Sequence, residues 1–201
     1  MRRMPLFATC LLLSVTTLLA SDPKATMKAK NKLQDAIKAA SNNNFEKMYD
    51  LAKEAQSLDA TLAEPYAYSG LYLYRTGESS SAEKDFMKAL TLDPNLSLPR
   101  LYLGNILFER GDRDSALDEW FAGLRLDSKS PEALASYAVG LFVLGKTTEA
   151  IQQYKKALMY DRRYYEKEFL RDSKKGAAWG QKKADAVAPL LEKVEKPKFP
   201  Y

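Results

Sequence analysis

An interval of 34 residues recurs through the middle of the chain and constrains its fold more than any other feature. Three columns of small residues, one of aromatic residues and one of aspartates keep this interval. They are Gly70, Gly104 and Ala138; Ala82, Ala116 and Ala150; Ala89, Gly123 and Ala157; Phe86, Trp120 and Tyr154; and Asp59, Asp93, Asp127 and Asp161. Columns that keep one period without an insertion predict a repeat protein, a solenoid in which each unit packs against its neighbours.

Each unit is predicted to be a pair of helices. Within residues 97–130, Gly111-Asp112 separates two helical patterns and Asp127-Ser128 precedes the next unit. Small residues let two helices cross closely, and an aromatic residue four positions further lies one turn along the same face. We therefore expect the aromatic residue to fill the space between one hairpin and the next. Each Asp is expected to begin the turn between units.

The pattern resembles the tetratricopeptide repeat (TPR) family over about Ala29–Arg162. The two central units carry the small and aromatic residues of that family, and the second unit closes with Pro94. The fourth has Ala138 where Gly is commoner, and the first is degenerate, with Met48 in the small place and Ala52 in the aromatic place. The resemblance implies an all-α, right-handed superhelical TPR solenoid of three clear repeats plus one degenerate N-terminal repeat, with a C-terminal capping helix pair.

The chain is predicted to have three parts. Residues 1–20 form a signal peptide, residues 21–162 hold the repeats (about 29–62, 63–96, 97–130 and 131–164), and residues 163–201 form capping helices and a mobile tail. A solenoid needs a cap because its last apolar face would otherwise meet water. Pro189 is expected to weaken or kink the last helix.

The first 20 residues have the layout of a secretory signal peptide. Met1-Arg2-Arg3 is a short positive start, Leu6–Ala20 is an apolar run, and Ser21-Asp22-Pro23 turns polar. The run is short for a membrane span, which needs about 20 residues. We expect cleavage after Ala20 and a periplasmic or cell-envelope location, with an uncleaved membrane anchor as the alternative.

Composition argues against several kinds of site. The chain has no His and one Cys, Cys10, so zinc sites of the usual kind, Cys-His pairs and Ser-His-Asp triads are excluded. Acidic pairs such as Asp112 and Asp114 are typical of a solvated surface. We therefore predict a protein that is not an enzyme, with no catalytic residue, metal or cofactor, and we find no nucleic-acid motif.

The resemblance places function in the concave groove. In the TPR family the first helices line this groove, which usually binds a peptide or helix of another protein. The positions carried over by register are Leu71, Tyr74, Arg75, Leu101, Asn105, Phe108, Val139 and Phe142, with Leu98, Glu109, Ala135 and Val143 as further members. The aromatic row could face the groove or pack between helices, and Asn105 could bind a ligand backbone or face solvent.

Some family members hold a C-terminal carboxylate with Lys, Asn and Arg, and this set is not reproduced. Leu71 and Val139 flank Asn105 in its column, and Ser136 stands where a basic residue would help. An apolar or mixed groove is predicted instead.

Charge is concentrated at the C-terminal end. From residue 162 to 201 there are 11 basic and 6 acidic residues. We expect these lysines to form the solvated face of the cap, with weak contact to an anionic membrane surface or to an acidic partner as the alternatives.

The expected function is that of an exported adaptor or scaffold that binds another protein or peptide in a cell-envelope assembly. Two alternatives remain open: a mainly structural solenoid that self-associates, and a groove that binds a small molecule.

Overall fold

The computed structural model describes residues 22–172, 174 and 176–194; the predicted signal peptide and the last seven residues lie outside this range. Over the described residues the chain is helical and has no strand. Helices α1–α8 are Pro23–Ser41, Phe45–Leu58, Glu64–Arg75, Ser79–Leu92, Ser97–Arg110, Arg113–Leu126, Pro131–Val143 and Thr147–Tyr160. A 3-10 helix (Arg162–Tyr165), α9 (Lys167–Arg171) and α10 (Gln181–Lys193) follow.

The first eight helices form hairpins that stack in chain order. Each odd-numbered helix packs against the next even-numbered one, and each even-numbered helix packs against the first helix of the following hairpin. The first helices also pack on one another, α3 on α5 and α5 on α7, so together they form one continuous surface. The predicted all-α solenoid of helix hairpins is confirmed.

The turn inside each hairpin uses a residue in the left-handed region. Gly77, Gly111 and Gly145 have φ of 90°, 97° and 80°, and Asn43 has the same place in the first hairpin with φ of 55°. Glycine adopts this conformation without a steric penalty, and asparagine is among the few other residues that visit it. The degenerate first repeat therefore keeps the turn geometry although it lacks the glycine.

The aspartate column begins the turns between hairpins, as predicted. Each Asp follows a second helix, and its Oδ1 accepts the backbone N–H two residues further on. The N···O distances for Asp59, Asp93, Asp127 and Asp161 are 2.9, 2.9, 3.1 and 3.0 Å. Beyond the helix end this backbone N–H has no helical carbonyl to donate to. The short Asp side chain accepts it instead, which stabilises the turn.

The aromatic column lies between hairpins, as expected. Phe86, Trp120 and Tyr154 are fully buried. A β-carbon on Gly104 would lie 2.5 Å from Trp120 Nε1, and one on Gly140, in the next hairpin, would lie 2.9 Å from the same ring system. The indole thus reaches from its own hairpin to the next, and glycine is needed where two backbones approach it.

The C-terminal residues form the predicted capping helices, but α10 does more than cover the end of the solenoid. It packs against α8 and α9, and it also packs against α5 and α7. Pro189 lies inside α10, which continues to Lys193. The last helix therefore lies along the surface formed by the first helices.

Candidate functional site

The predicted groove positions lie on α3, α5 and α7, and most of them are covered. Leu71, Tyr74, Leu101, Asn105, Phe108 and Val139 are buried, whereas Arg75 and Phe142 are partly exposed. Two of the aromatic residues pack inside the solenoid: Tyr74 lies against Tyr102, with ring centroids 5.0 Å apart, and Phe108 lies against Trp120 at 5.6 Å. The chain's own C-terminal residues contribute to this burial.

A lysine of α10 lies at the centre of the covered surface. Lys183 is fully buried. Its Nζ donates to Asn105 Oδ1 on α5 at 2.6 Å and to Ser136 Oγ on α7 at 3.0 Å. The same nitrogen lies 4.2 Å from the Trp179 ring centroid and 5.6 Å from that of Trp120. Two hydrogen bonds and an aromatic face thus surround the ammonium group.

The start of α10 is held by a carboxylate of α5. Glu109 accepts the backbone N–H of Lys182 at 3.1 Å and that of Lys183 at 2.9 Å, and Lys182 Nζ donates to the Glu109 carbonyl at 2.6 Å. A carboxylate suits a helix N-terminus because the first amides lack partners within the helix. A β-carbon at Gly180 would overlap this carboxylate, so glycine permits the close approach.

Helix α3 contacts the segment that precedes α10. Arg75 Nη2 donates to the Gly176 carbonyl at 3.0 Å, and the guanidinium lies 4.0 Å from the centroid of the Phe45 ring. Residues 176–183 therefore contact three first helices, from α3 through α5 to α7.

Burial changes the electrostatics of this cluster. It lowers the pKa of Lys183 to about 7, and the carboxylates of Glu132 and Glu109 act in the opposite direction. Burial raises the pKa of Glu132, while Lys183 and the Tyr102 hydroxyl, which donates to Glu132 Oε2 at 3.1 Å, act to lower it. Burial also raises the pKa of Tyr74. The cluster is consequently a polar site enclosed by apolar packing.

Several polar atoms on α3, α5, α7 and the segment before α10 are buried without a hydrogen-bond partner in the described part of the chain. They are Tyr74 Oη, Asn105 Nδ2, Glu132 Oε1 and Trp179 Nε1. Each such atom reduces the stability gained on packing, because its bonds to water are lost and not replaced.

The structure excludes one of the two open alternatives for Asn105 and corrects one expectation about the tail lysines. Asn105 does not face solvent: it is buried, and its Oδ1 accepts Trp120 Nε1 at 3.0 Å as well as Lys183 Nζ. The tail lysines are not all a solvated face, since Lys182 is exposed but Lys183 is buried. Position 136 has no basic side chain of its own, but α10 brings the Lys183 ammonium group to Ser136.

Sequence reasoning missed Lys183, Glu132 and Ser136 as members of the cluster. One signal could have found the lysine. Lys183, Val187, Leu190 and Val194 follow one helical face, and the last three are buried apolar residues. A lysine in line with them was a candidate for burial.

The described residues hold neither a metal-binding cluster nor a helix able to cross a membrane. No group of three or more His, Cys, Asp or Glu side chains in that part of the chain is placed to hold a metal ion. Each helix within the described ranges is too short or too polar to cross a membrane.

Comparison with known proteins finds similar structures and no similar sequence of known family. No protein-family model and no curated protein matches the chain. Solved structures do match, among them PilF of Pseudomonas aeruginosa, with a TM-score of 0.57 and 15% identity over 87% of this chain and 80% of that one. YrrB, a TPR protein with an unusual peptide-binding site, has a TM-score of 0.52 and 19% identity over 86% of this chain and 93% of that one.

A third similar structure is the first TPR of Spaghetti (RPAP3), bound to an HSP90 peptide. It has a TM-score of 0.52 and 16% identity, and the match covers 60% of this chain and 95% of that one. The structural similarity establishes a shared fold. At identities this low it does not establish function, which has to be argued from the site itself. The chain therefore has the fold of an all-α TPR solenoid.

Proposed function

We propose that this protein is an exported, non-catalytic TPR scaffold that binds a segment of another protein in the groove formed by α3, α5 and α7. One observation carries the proposal: the groove accommodates a polypeptide segment, namely residues 176–194 of the chain itself. Glu109 caps the N-terminus of that segment's helix, and Asn105 and Ser136 bind its lysine. A surface with these contacts can hold a helix that is supplied from outside.

The structural relatives support this choice of partner class. RPAP3 is seen with an HSP90 peptide, and YrrB has a peptide-binding site. These are properties of those proteins, and they raise the expectation for this one because repeat solenoids offer extended concave surfaces.

Export rests on the N-terminal sequence. The positive start at Met1-Arg2-Arg3, the apolar run and the polar change at Ser21 favour cleavage after Ala20 and a role in a cell-envelope assembly. Mass spectrometry of the protein purified from its own cells would give Ser21 as the first residue. A retained Met1 in the membrane fraction would favour the anchored alternative.

Site-specific photocrosslinking tests where the partner binds. p-Benzoylphenylalanine replaces Phe142, a partly exposed groove position on α7, or Phe121, an exposed residue on the second helix α6. Both changes replace one aromatic residue by a larger one, so they are matched. We expect another protein to be crosslinked from position 142 and not from 121. The opposite result would place binding outside the groove and refute the proposal.

Self-association is the second candidate, and one observation favours it. The second helices expose large apolar side chains, with Met87, Phe121 and Met159 showing 58, 52 and 76% of their surface. Met and aromatic residues are enriched where proteins associate. Sedimentation over a wide concentration range would show oligomers if this surface joins copies, and a single monomeric species would exclude it.

A further inference from the structure

The position of α10 differs from that of a simple end cap. A cap has to cover only the last hairpin of a solenoid. Helix α10 packs on α8, but it also packs on α7 and α5, and the Gly176 carbonyl is bound by Arg75 of α3. The segment therefore runs along the concave surface, where a solenoid of this fold would receive a partner.

The groove offers a site for an ammonium group. Asn105 and Glu109 lie four residues apart on α5, and Glu132 and Ser136 lie four residues apart on α7, so each pair shares one helix face. Asn105 Oδ1 and Ser136 Oγ accept directly from Lys183 Nζ, and the two carboxylates add negative charge near it. These four groups belong to the solenoid, and only the cation comes from α10.

The contact is poorly suited to a permanent cap. Burial of the Lys183 ammonium group has a desolvation cost, which its hydrogen bonds and the nearby carboxylates offset only in part. Trp179 Nε1 is buried without a hydrogen-bond partner among the described residues. Ala178, in the segment leading to α10, has φ of 54°, a conformation unfavourable for a residue other than glycine. Each of these features reduces the stability of the state in which α10 occupies the groove, and so makes it easier for another segment to replace α10.

We propose that the groove recognises a cationic helix start, and that α10 is its internal occupant, displaced by a segment of another protein that carries the same chemistry. That partner has an aromatic residue, a glycine directly after it and a lysine three residues further, the spacing of Trp179, Gly180 and Lys183. Its first helical amides bind Glu109, and its lysine binds Asn105 and Ser136. This inference rests on the proposed function and specifies the partner that the groove accepts.

A labelled peptide of residues 174–194 is the probe, and the full-length chain is the receptor. In the wild type the tethered helix competes with the peptide at an effective concentration on the order of millimolar. Lys183→Asp in the chain places a carboxylate beside Glu109 and Glu132 and should release α10. Fluorescence anisotropy should then show peptide binding at least about tenfold tighter than in the wild type. Lys193→Asp, an exposed lysine of the same helix, is the charge-matched control and should behave as the wild type.

Substitution within the peptide tests whether the cation is recognised. A peptide with Lys183→Met should bind the released chain at least about tenfold more weakly, because two charge-assisted hydrogen bonds are lost. A peptide with Lys193→Met should bind as well as the original. Equal binding of both variant peptides would refute a site that selects a cation.

Hydrogen exchange on the wild type gives a test that needs no variant. Excess peptide should speed exchange in residues 181–193 while the helices α3–α8 keep their protection. Slow exchange throughout 181–193 at saturating peptide, or a folded Lys183→Asp chain that fails to bind peptide, would show that α10 is a permanent cap. A wild-type dimer in which each groove holds the other copy's α10 would also overturn the proposal.

The two proposals can fail separately. If position 142 crosslinks to another protein but the peptide does not bind, groove binding stands and the cationic specificity is wrong. If the peptide displaces α10 but no protein is crosslinked from position 142 in cells, the site exists and the scaffold function is wrong.

Discussion

The burial of Lys183 predicts a specific dependence of stability on pH. Burial lowers its pKa to about 7, from an ordinary value of 10.5. Between these two values the unfolded chain holds a proton that the folded chain has lost, so the free energy of unfolding rises with pH. Below the pKa of the folded state, Lys183 is protonated in both the folded and the unfolded chain. The free energy of unfolding is then reduced by the full cost of burying the charge.

The size of the effect follows from the two pKa values. From pH 7 to pH 9 the lysine should add about 2 kcal/mol to the free energy of the unfolding step that brings Lys183 into water. Lys183→Met removes the titrating group. The wild type should therefore gain about 2 kcal/mol relative to this variant over the same range.

Other titrating or charged groups lie in the same cluster, and they limit the pH range over which the effect of Lys183 can be isolated. Glu109 on α5 and Glu132 on α7 act on the lysine directly, whereas Tyr74 and Arg75 on α3 interact with these carboxylates. Because the pKa of Glu132 is raised in the folded state, this residue makes the free energy of unfolding fall with pH. Its stabilising contribution is present at low pH and is lost as the pH rises through the pKa of the folded state. A repeat of the comparison on the Glu132→Gln background removes this contribution. The raised pKa of Tyr74 matters only near and above its ordinary value of 10.0, beyond the range used.

Urea denaturation at pH 7, 8 and 9, followed by circular dichroism and tryptophan fluorescence, provides the assay. Lys193→Met is the matched control, since Lys193 is exposed in the last turn of α10. The same pH slope in the wild type and in Lys183→Met would refute the argument, because the buried lysine would then contribute no titration.

Two further predictions concern the repeat packing. Gly104→Ala should destabilise the protein by about 1–3 kcal/mol, since its β-carbon would overlap the buried Trp120 indole. Gly123→Ala is its matched control, with the nearest atom at 3.5 Å, and should be neutral or stabilise by up to about 1 kcal/mol in urea denaturation; equal losses for the two would contradict this packing. Tyr154→Phe removes the hydroxyl that donates to the Tyr164 carbonyl at 2.6 Å in a buried site. It should cost about 1–2 kcal/mol and speed hydrogen exchange in residues 162–171, and an unchanged melting temperature would contradict it.

The groove shows how far sequence could predict a site. Tyr74, Asn105 and Phe108 were placed on the first helices by the repeat register, and they lie on α3 and α5. Their role as groove residues for a partner stays a prediction. The sequence could not predict that α10 would cover these residues. Asn105 and Lys183 are 78 residues apart and meet only because the hairpins stack.

The sequence by itself determined the stack of helix hairpins. Its period places a small residue opposite an aromatic one in the last three units, a left-handed residue in each hairpin turn and an aspartate after each second helix. All of these are local requirements that neighbouring residues satisfy. Only the tertiary structure decided that α10 lies along the groove and that Lys183 is buried. A lysine can leave water only where acceptors such as Asn105 and Ser136 are brought together, and this depends on how α5 and α7 pack.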